Sequence, residues 1–448
     1  MKFMNVALAA ETVVVIIVIL VVPYTEIDWR AYMEEVEGFL HGELDYRNLK
    51  GGTGPLVYPG GFIWVHAVLY YLTKKGEAIE LAQLIYASVY LVTLAMVLRL
   101  YSHSGHTWRV VIPLFISKRI RSLYVLRLFN DCWAMLFLFA AVTFIAGRPS
   151  GAGKRSRQWL IGSICFTIAV SIKMNVLLFA PGMLYVMLRT LPLRRVAWYL
   201  FICAVWQVVA GMPFLTHNYK AYLSKSFELD RVFMHRWSLN YQFLDAELFT
   251  KPGFGQALLA MTAATWVLLW RMRWAPRTYL TDAEARVLHP AIADTRRQNT
   301  SSLLHAVEDE EMVDDEAQEQ AVYASTLLTF FEANLVGVIF ARSIHYQFYT
   351  WFFYTVPFVL AYTTYPWPLR IVSCALISQG FESFPPPPRT SVMLQSGFAL
   401  TLFAFIFWGR DTPHAATPRE TYRTKRRGAE AAANTAGGRS RTRQKETA

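Results

Sequence analysis

The sequence predicts an all-α polytopic membrane protein of about 11 to 13 transmembrane helices. Three observations carry that prediction. Apolar residues make up 54% of the chain and gather in runs, while only 17% of residues are charged. The first run, 4–22, is close to the roughly 20 residues that cross a bilayer core and holds a single acid, Glu11. Much of the +12 net charge lies in the connectors 148–157, 189–195 and 271–277 and in the tail after Arg410. That is a positive-inside distribution, which accounts for the charge without nucleic acid.

Taken in order, 4–22 reads as an uncleaved span, since no small-residue cleavage site follows it. Apolar runs then recur at 55–73, 81–101, 132–147, 159–172, 174–188, 196–212, 254–270, 323–341, 350–366, 368–381 and 392–408. The stretch 110–126 is interrupted by Lys118, Arg119 and Arg121, and it reads equally as a span, a short hairpin or a re-entrant piece. Cys132, Cys165, Cys203 and Cys374 sit in or beside apolar runs without metal or disulfide spacing, as small packing residues do. The multi-pass unit is expected over 1–410. Within it, 281–320 is a solvated acidic cytosolic linker, and 411–448 is a basic disordered cytosolic tail. Asn299 forms the only glycosylation sequon and falls in that linker, so it is expected to carry no glycan.

Placing the basic connectors in the cytosol puts the polar, aromatic-rich loops 24–60, 217–249 and 342–351 together on the opposite, luminal side. The loop 24–60 is too long and too acidic for a simple connector. Its segment after Asp28 repeats apolar residues at Trp29, Tyr32, Met33, Val36, Phe39 and Leu40, one face of an amphipathic helix lying in the membrane interface. Glu34, Glu35 and Glu37 fall on the other face. Asp28 heads this helix, where the positive helix end favours an ionised carboxylate, the form a general base requires. It serves equally well as a plain N-cap.

Irregular backbone follows at 41–45, ending on Asp45, and at 51–55 (GGTGP). These glycines suit close approach to a phosphate or sugar, or simply a turn. Tyr46, Tyr58 and Trp64 suit sugar stacking or the interfacial aromatic belt. A second cluster, Arg342, His345, Tyr346 and Gln347, offers a guanidinium fork for phosphate oxygens. A third, Asp230, Arg231, His235, Arg236, Trp237 and Asn240, interleaves basic and aromatic residues as a diphosphate-linked glycan requires. In a fourth, Arg127, Asn130 and Asp131 border lipid, and Arg127 and Asp131 are expected to pair structurally.

Across about residues 24–365, the segments DWRAYMEEVEGFLHGELDYRNLKGGTGPLVYPGGF, VLRLFND, SIKMNVLLFAPG, RVFMHRW and ARSIHYQFYTWFFYTVPFVL strongly resemble the dolichyl-phosphate-mannose-dependent alpha-1,3-mannosyltransferases of N-glycan precursor assembly. Tyr241 stands where that family usually carries Trp, and Phe331 to Asn334 replace a small polar run. The resemblance implies a GT-C type glycosyltransferase fold in the endoplasmic reticulum membrane. It also implies transfer from dolichyl-phosphate mannose to the five-mannose diphosphodolichol-linked oligosaccharide. The family's acid falls on Asp28, with Asp45 as second choice, and its His-Tyr-Gln segment on His345, Tyr346 and Gln347.

A β-linked donor and an α-linked product imply one-step inversion with a single base. The phosphate leaving group is already a stable anion, unlike the leaving groups of glycosidases, which use an acid–base carboxylate pair. Arg342 and His345 would hold that phosphate, with Arg236, Trp237 and Tyr58 as further substrate contacts. No cofactor or metal is called for, since the luminal loops hold no Asp-x-Asp pair. A lipid-sugar transporter would show polar residues at mid-membrane or internal repeats. Here the polar clusters gather at one face. A mannosyltransferase with another acceptor, such as a glycosylphosphatidylinositol precursor, is the alternative that the chemistry allows.

Overall fold

The computed structural model describes residues 2–106, 108–147, 152–227, 234–275, 308–383 and 385–409. Asp230, Arg231, Asn299, most of the linker 281–320 and the tail 411–448 lie outside these residues.

Helix α1 (Lys2–Val21) is the first long apolar helix. Its one acid, Glu11, is buried and receives Arg121 Nε at 2.6 Å and the Tyr90 hydroxyl at 2.8 Å. A carboxylate at this depth costs several kcal/mol unless it is partnered, and these two groups partner it. Helix α2 (Trp29–Leu40) packs on α3 (Gly60–Leu72) and on a two-stranded hairpin, β1 (Lys50–Gly51) with β2 (Gly54–Pro55). The chain continues through α4 (Ile79–His103), α5 (Trp108–Ile116) and the single turn α6 (Lys118–Arg121). A π-turn at Ser122–Leu126 then precedes α7 (Asp131–Ala146), α8 (Ala152–Ile172), a 3₁₀ segment at Met174–Phe179 and α9 (Ala180–Thr190).

The second half holds α10 (Leu193–Ser226), α11 (Ala246–Thr250), α12 (Pro252–Leu269) with a π-turn at Trp270–Trp274, and α13 (Glu308–Ile339). A 3₁₀ turn at Tyr346–Trp351 leads to α14 (Val356–Ala361), α15 (Trp367–Gly380) and α16 (Pro388–Phe407).

Among the described residues, six helices are long and apolar enough to cross a membrane: Phe3–Val21, Ile79–His103, Leu193–Ser226, Pro252–Trp274, Gln320–Ile339 and Pro388–Phe407. A seventh arises if Lys118–Leu126 and Asp131–Ala146, bent by 113°, count as one broken span. Of the remaining apolar runs, 159–172 forms the end of the 21-residue α8, whose first turns are basic and polar, and the others fold as shorter pieces. Run 55–73 becomes helical only from Gly60, and run 174–188 opens in 3₁₀ form. Run 350–366 is a 3₁₀ turn followed by the six-residue α14. A hydropathy run records burial in apolar surroundings and does not separate a crossing helix from an irregular buried segment.

The acidic end of the linker also departs from expectation. Residues from Glu308 onward are helical and continuous with the span of α13, as their Glu, Ala and Gln content favours. The four cysteines are free thiols.

Candidate active site

The site forms where α2, the bend before α7, the end of α8 and the 346–351 turn converge. Asp28 takes the N-cap position of α2, but its carboxylate makes no capping hydrogen bond. It receives the Thr53 hydroxyl from the hairpin and lies 3.5 Å from the Tyr32 hydroxyl. The helix end was expected to favour its ionised form. Burial instead raises the Asp28 carboxyl above its ordinary value, opposed chiefly by the nearby Lys173 ammonium. A raised value brings a carboxylate closer to the working range of a general base near neutral pH.

The face of α2 is as read at Trp29, Tyr32, Met33 and Val36, all buried. Glu35 differs: it turns inward instead of sharing the outer face with Glu34 and Glu37, and its Oε2 has no hydrogen-bond partner. Burial first, then the charges of Asp28 and Glu34, push its carboxyl up to about 9. Glu34 stays outside and accepts the Gly52 N–H at 2.6 Å, and Glu37 accepts the Tyr70 hydroxyl at 2.7 Å. The glycines of 51–55 therefore serve a turn pressed onto α2. The Gly52 N–H, already bonded to Glu34, is not offered to an anion.

The Tyr32 hydroxyl also reaches Asn130 Oδ1 at 3.4 Å, which links Asp28 to the motif before α7. Here the expected Arg127–Asp131 pair is corrected. Asp131 is fully buried and bonds Lys173 Nζ at 2.6 Å and Trp351 Nε1 at 2.5 Å, while Arg127 donates to Ser122 and contacts the Tyr346 hydroxyl. On a continuous helix the i, i+4 spacing would pair Arg127 with Asp131. Leu128 instead holds a left-handed φ of 50°, which breaks the helix and turns the two side chains apart.

Lys173 is not among the site residues expected from the sequence. Just past α8, it is 7% exposed, bonds Asn130 Oδ1 at 3.0 Å, and lies 5.3, 5.6 and 5.9 Å from the ring centres of Tyr58, Phe348 and Trp351. Its signal was present in the sequence, because a lone lysine in an otherwise apolar run marks a functional site by default.

The expected residues separate into three groups. Asp28, Tyr58 and Tyr346 meet at this centre, and the His345 ring lies tilted against that of Tyr346, 4.6 Å between centres. Gln347 is buried in the 3₁₀ turn. Asp45 lies elsewhere: Arg47 grips both of its oxygens, Asn218 Nδ2 donates at 3.0 Å, and these bonds hold its carboxyl well below the usual carboxylate range. Arg342, Arg236 and Trp237 belong to a third region made of two joined loops. Asn240 Nδ2 donates to the Ala341 carbonyl at 2.6 Å, the Ile344 N–H donates to Asn240 Oδ1 at 2.8 Å, and Ser238 bonds Ser343. On this platform Arg236 stacks on Trp237 at 4.6 Å, and Arg342 lies against Gly255 of α12.

Beside the centre, α5, the 349–361 segment and α15 enclose a cavity of about 1050 Å³ with largely apolar walls, including Ile112, Phe353, Leu360 and Ala375. Arg109, Arg370, Lys118 and Glu382 also line it, and Lys118 pairs with Glu382 at 2.9 Å. Tyr349, on the same 3₁₀ turn as Tyr346, lines the cavity. Among the described residues, no cluster of three His, Cys, Asp or Glu side chains is arranged to hold a metal ion.

Residues 5–391 match the family described as ALG3 protein. A Drosophila melanogaster protein, Dolichyl-P-Man:Man5GlcNAc2-PP-dolichol alpha-1,3-mannosyltransferase l(2)not2, is 37% identical over 431 residues, covering 86% of this chain and 87% of its own. The Homo sapiens Dol-P-Man:Man(5)GlcNAc(2)-PP-Dol alpha-1,3-mannosyltransferase is 37% identical over 393 residues (85% and 81%), and that of Mus musculus 36% over 413 residues (90% and 86%). No solved structure matches the chain. With most of its length aligned to these proteins, the chain belongs to the ALG3 protein family.

Proposed function

We propose that this chain transfers mannose from dolichyl-phosphate mannose to the five-mannose diphosphodolichol-linked oligosaccharide. The product is an alpha-1,3 bond formed by one-step inversion at the luminal face of the endoplasmic reticulum membrane. Family membership supplies the reaction. The observation that carries the chemistry is Asp28, a half-buried carboxylate that neither caps its helix nor is bound up in a salt bridge, set among Tyr32, Tyr58 and Lys173.

In this reading Asp28 takes the proton of the acceptor mannose 3-hydroxyl as its oxygen bonds to the anomeric carbon. The bond from that carbon to the phosphate oxygen breaks, and dolichyl phosphate leaves with the electron pair. We assign the leaving phosphate to Arg127, His345 and Tyr346, where a fixed cation stabilises growing negative charge. Arg342, Arg236 and Trp237, on the joined loops, are assigned to the acceptor's diphosphate and glycan. The apolar cavity suits the donor's polyisoprenyl chain: its walls are largely apolar, and Tyr349, from the 3₁₀ turn that also carries Tyr346, lines it. The reaction as assigned uses no metal, and activity that survives complete chelation is the expected result.

Purified protein incubated with dolichyl-phosphate mannose and the five-mannose lipid should add one alpha-1,3-linked hexose. Transfer to a glycosylphosphatidylinositol precursor, with none to the five-mannose lipid, would overturn this assignment.

A further inference from the structure

Among the described residues, Lys173 carries the one positive charge recorded in contact with the Asn130–Asp131 pair, and its surroundings restrict what it can do. Two of its three N–H groups go to Asp131 Oδ2 (2.6 Å) and Asn130 Oδ1 (3.0 Å), and the rings of Tyr58, Phe348 and Trp351 crowd the ammonium at 5.3–5.9 Å. A cation so enclosed is poorly placed to clamp a mobile phosphate. It is well placed to act through space on a fixed neighbour. The same Asn130 oxygen accepts from Tyr32, whose hydroxyl lies against Asp28, so the lysine and the carboxylate face each other across one short polar chain.

We propose that Lys173 is the positioning residue that keeps Asp28 ionised in its half-buried setting, and that Asp131 holds Lys173 in place while limiting its pull. This rests on the assignment of Asp28 as the base. The centre sets two carboxylates, Asp28 and Asp131, against the single ammonium of Lys173, and the arriving phosphate adds further negative charge. Without Lys173, an ionised Asp28 would stand half-buried near Asp131 with no cation beside that pair, a state that proteins avoid by taking up a proton.

The other groups facing Asp28 do not replace the lysine. Tyr24, Tyr32 and Glu35 come from its own segment, Thr53 from the hairpin, Tyr58 from the connector before α3, Asp131 from the start of α7, and Tyr346 from the 3₁₀ turn with Arg127 behind it. Of these, only Arg127 is cationic, and it contacts Tyr346 and Ser122. The effects on Asp28 run in opposite senses, Lys173 lowering its proton affinity and Asp131 raising it.

The test is the pH dependence of kcat/KM, measured with dolichyl-phosphate mannose and the five-mannose lipid. Lys173→Met should move the acidic limb upward by about 1 to 3 pH units, and Asp131→Asn should move it downward. The double variant, which removes both charges, should lie between the two. Lys173→Arg should return the limb towards its native position. If Lys173→Met does not accumulate in the membrane, Asp131→Asn and the double variant carry the test.

A limb that stays fixed in these variants, yet disappears in Asp28→Asn, overturns the proposal and leaves Asp28 as the base. A limb that persists in Asp28→Asn overturns the base assignment itself.

Discussion

A Cβ built on Gly51 would stand 2.4 Å from the carbonyl oxygen of Ala31. The hairpin therefore rests directly on the helix that Asp28 heads, and only glycine fits at that contact. Thr53, two residues on, reaches Asp28 because of it. Gly51→Ala must lift the hairpin, since the obstacle is backbone. The expected cost is about 1–3 kcal/mol of stability, read as a lower Tm in detergent, together with reduced turnover. An unchanged Tm and rate would show that the hairpin does not hold the site.

Glu35 makes stability depend on pH. Burial raises its carboxyl from 4.5 to about 9, so the unfolded chain releases this proton well before the folded one does. The contribution is fully present below about 4.5 and is lost as pH rises through about 9. Tm should fall from pH 6 towards pH 9 in the native protein and stay flatter in Glu35→Gln. Parallel declines in the two proteins would contradict the buried, protonated state.

Asp45 has the opposite sign. Arg47 and Asn218 hold its carboxyl down, so its contribution is present above the unfolded value of 3.8 and is lost as pH falls through the lowered folded one. Asp45→Asn should lower Tm at neutral pH, with the difference closing in acid. Activity should stay within about threefold of native, as for a substitution outside the chemistry. A hundredfold loss of turnover without loss of folded protein would make Asp45 the stronger candidate for the base.

The cavity assignment predicts a dependence on lipid length. Ala375 lines the wall, and Ala375→Trp should obstruct the chain. KM for dolichyl-phosphate mannose should then rise about tenfold, equivalent to roughly two methylenes of lost burial. A short-chain donor should be used as before. Equal effects on both donors would place the tail elsewhere.

Much of this architecture is legible in the sequence, and the failures share a cause. Helix α1 and the apolar face of α2 follow from local periodicity, and Asp28 follows from its position at the head of that face. Glu35 departs from the pattern of its neighbouring glutamates, which suggests one solvated face, because α2 is also covered by the hairpin and α3. Arg127 and Asp131 looked like partners because sequence spacing assumes a continuous helix, which the left-handed φ of Leu128 interrupts. Lys173 escaped assignment because its partners, Asn130, Asp131 and Trp351, come from other elements. Spacing within one segment does not encode such a cluster. The joining of the 235–240 loop to the 341–344 loop through Asn240 is likewise a long-range contact with no local signal.

The central claim is that Asp28 is the base of mannosyl transfer. The most direct measurement is the turnover of purified Asp28→Asn with dolichyl-phosphate mannose and the five-mannose lipid. A positioned base contributes about 100- to 10,000-fold, so turnover should fall by at least 100-fold at native expression and Tm. A near-native rate in folded protein would contradict the account.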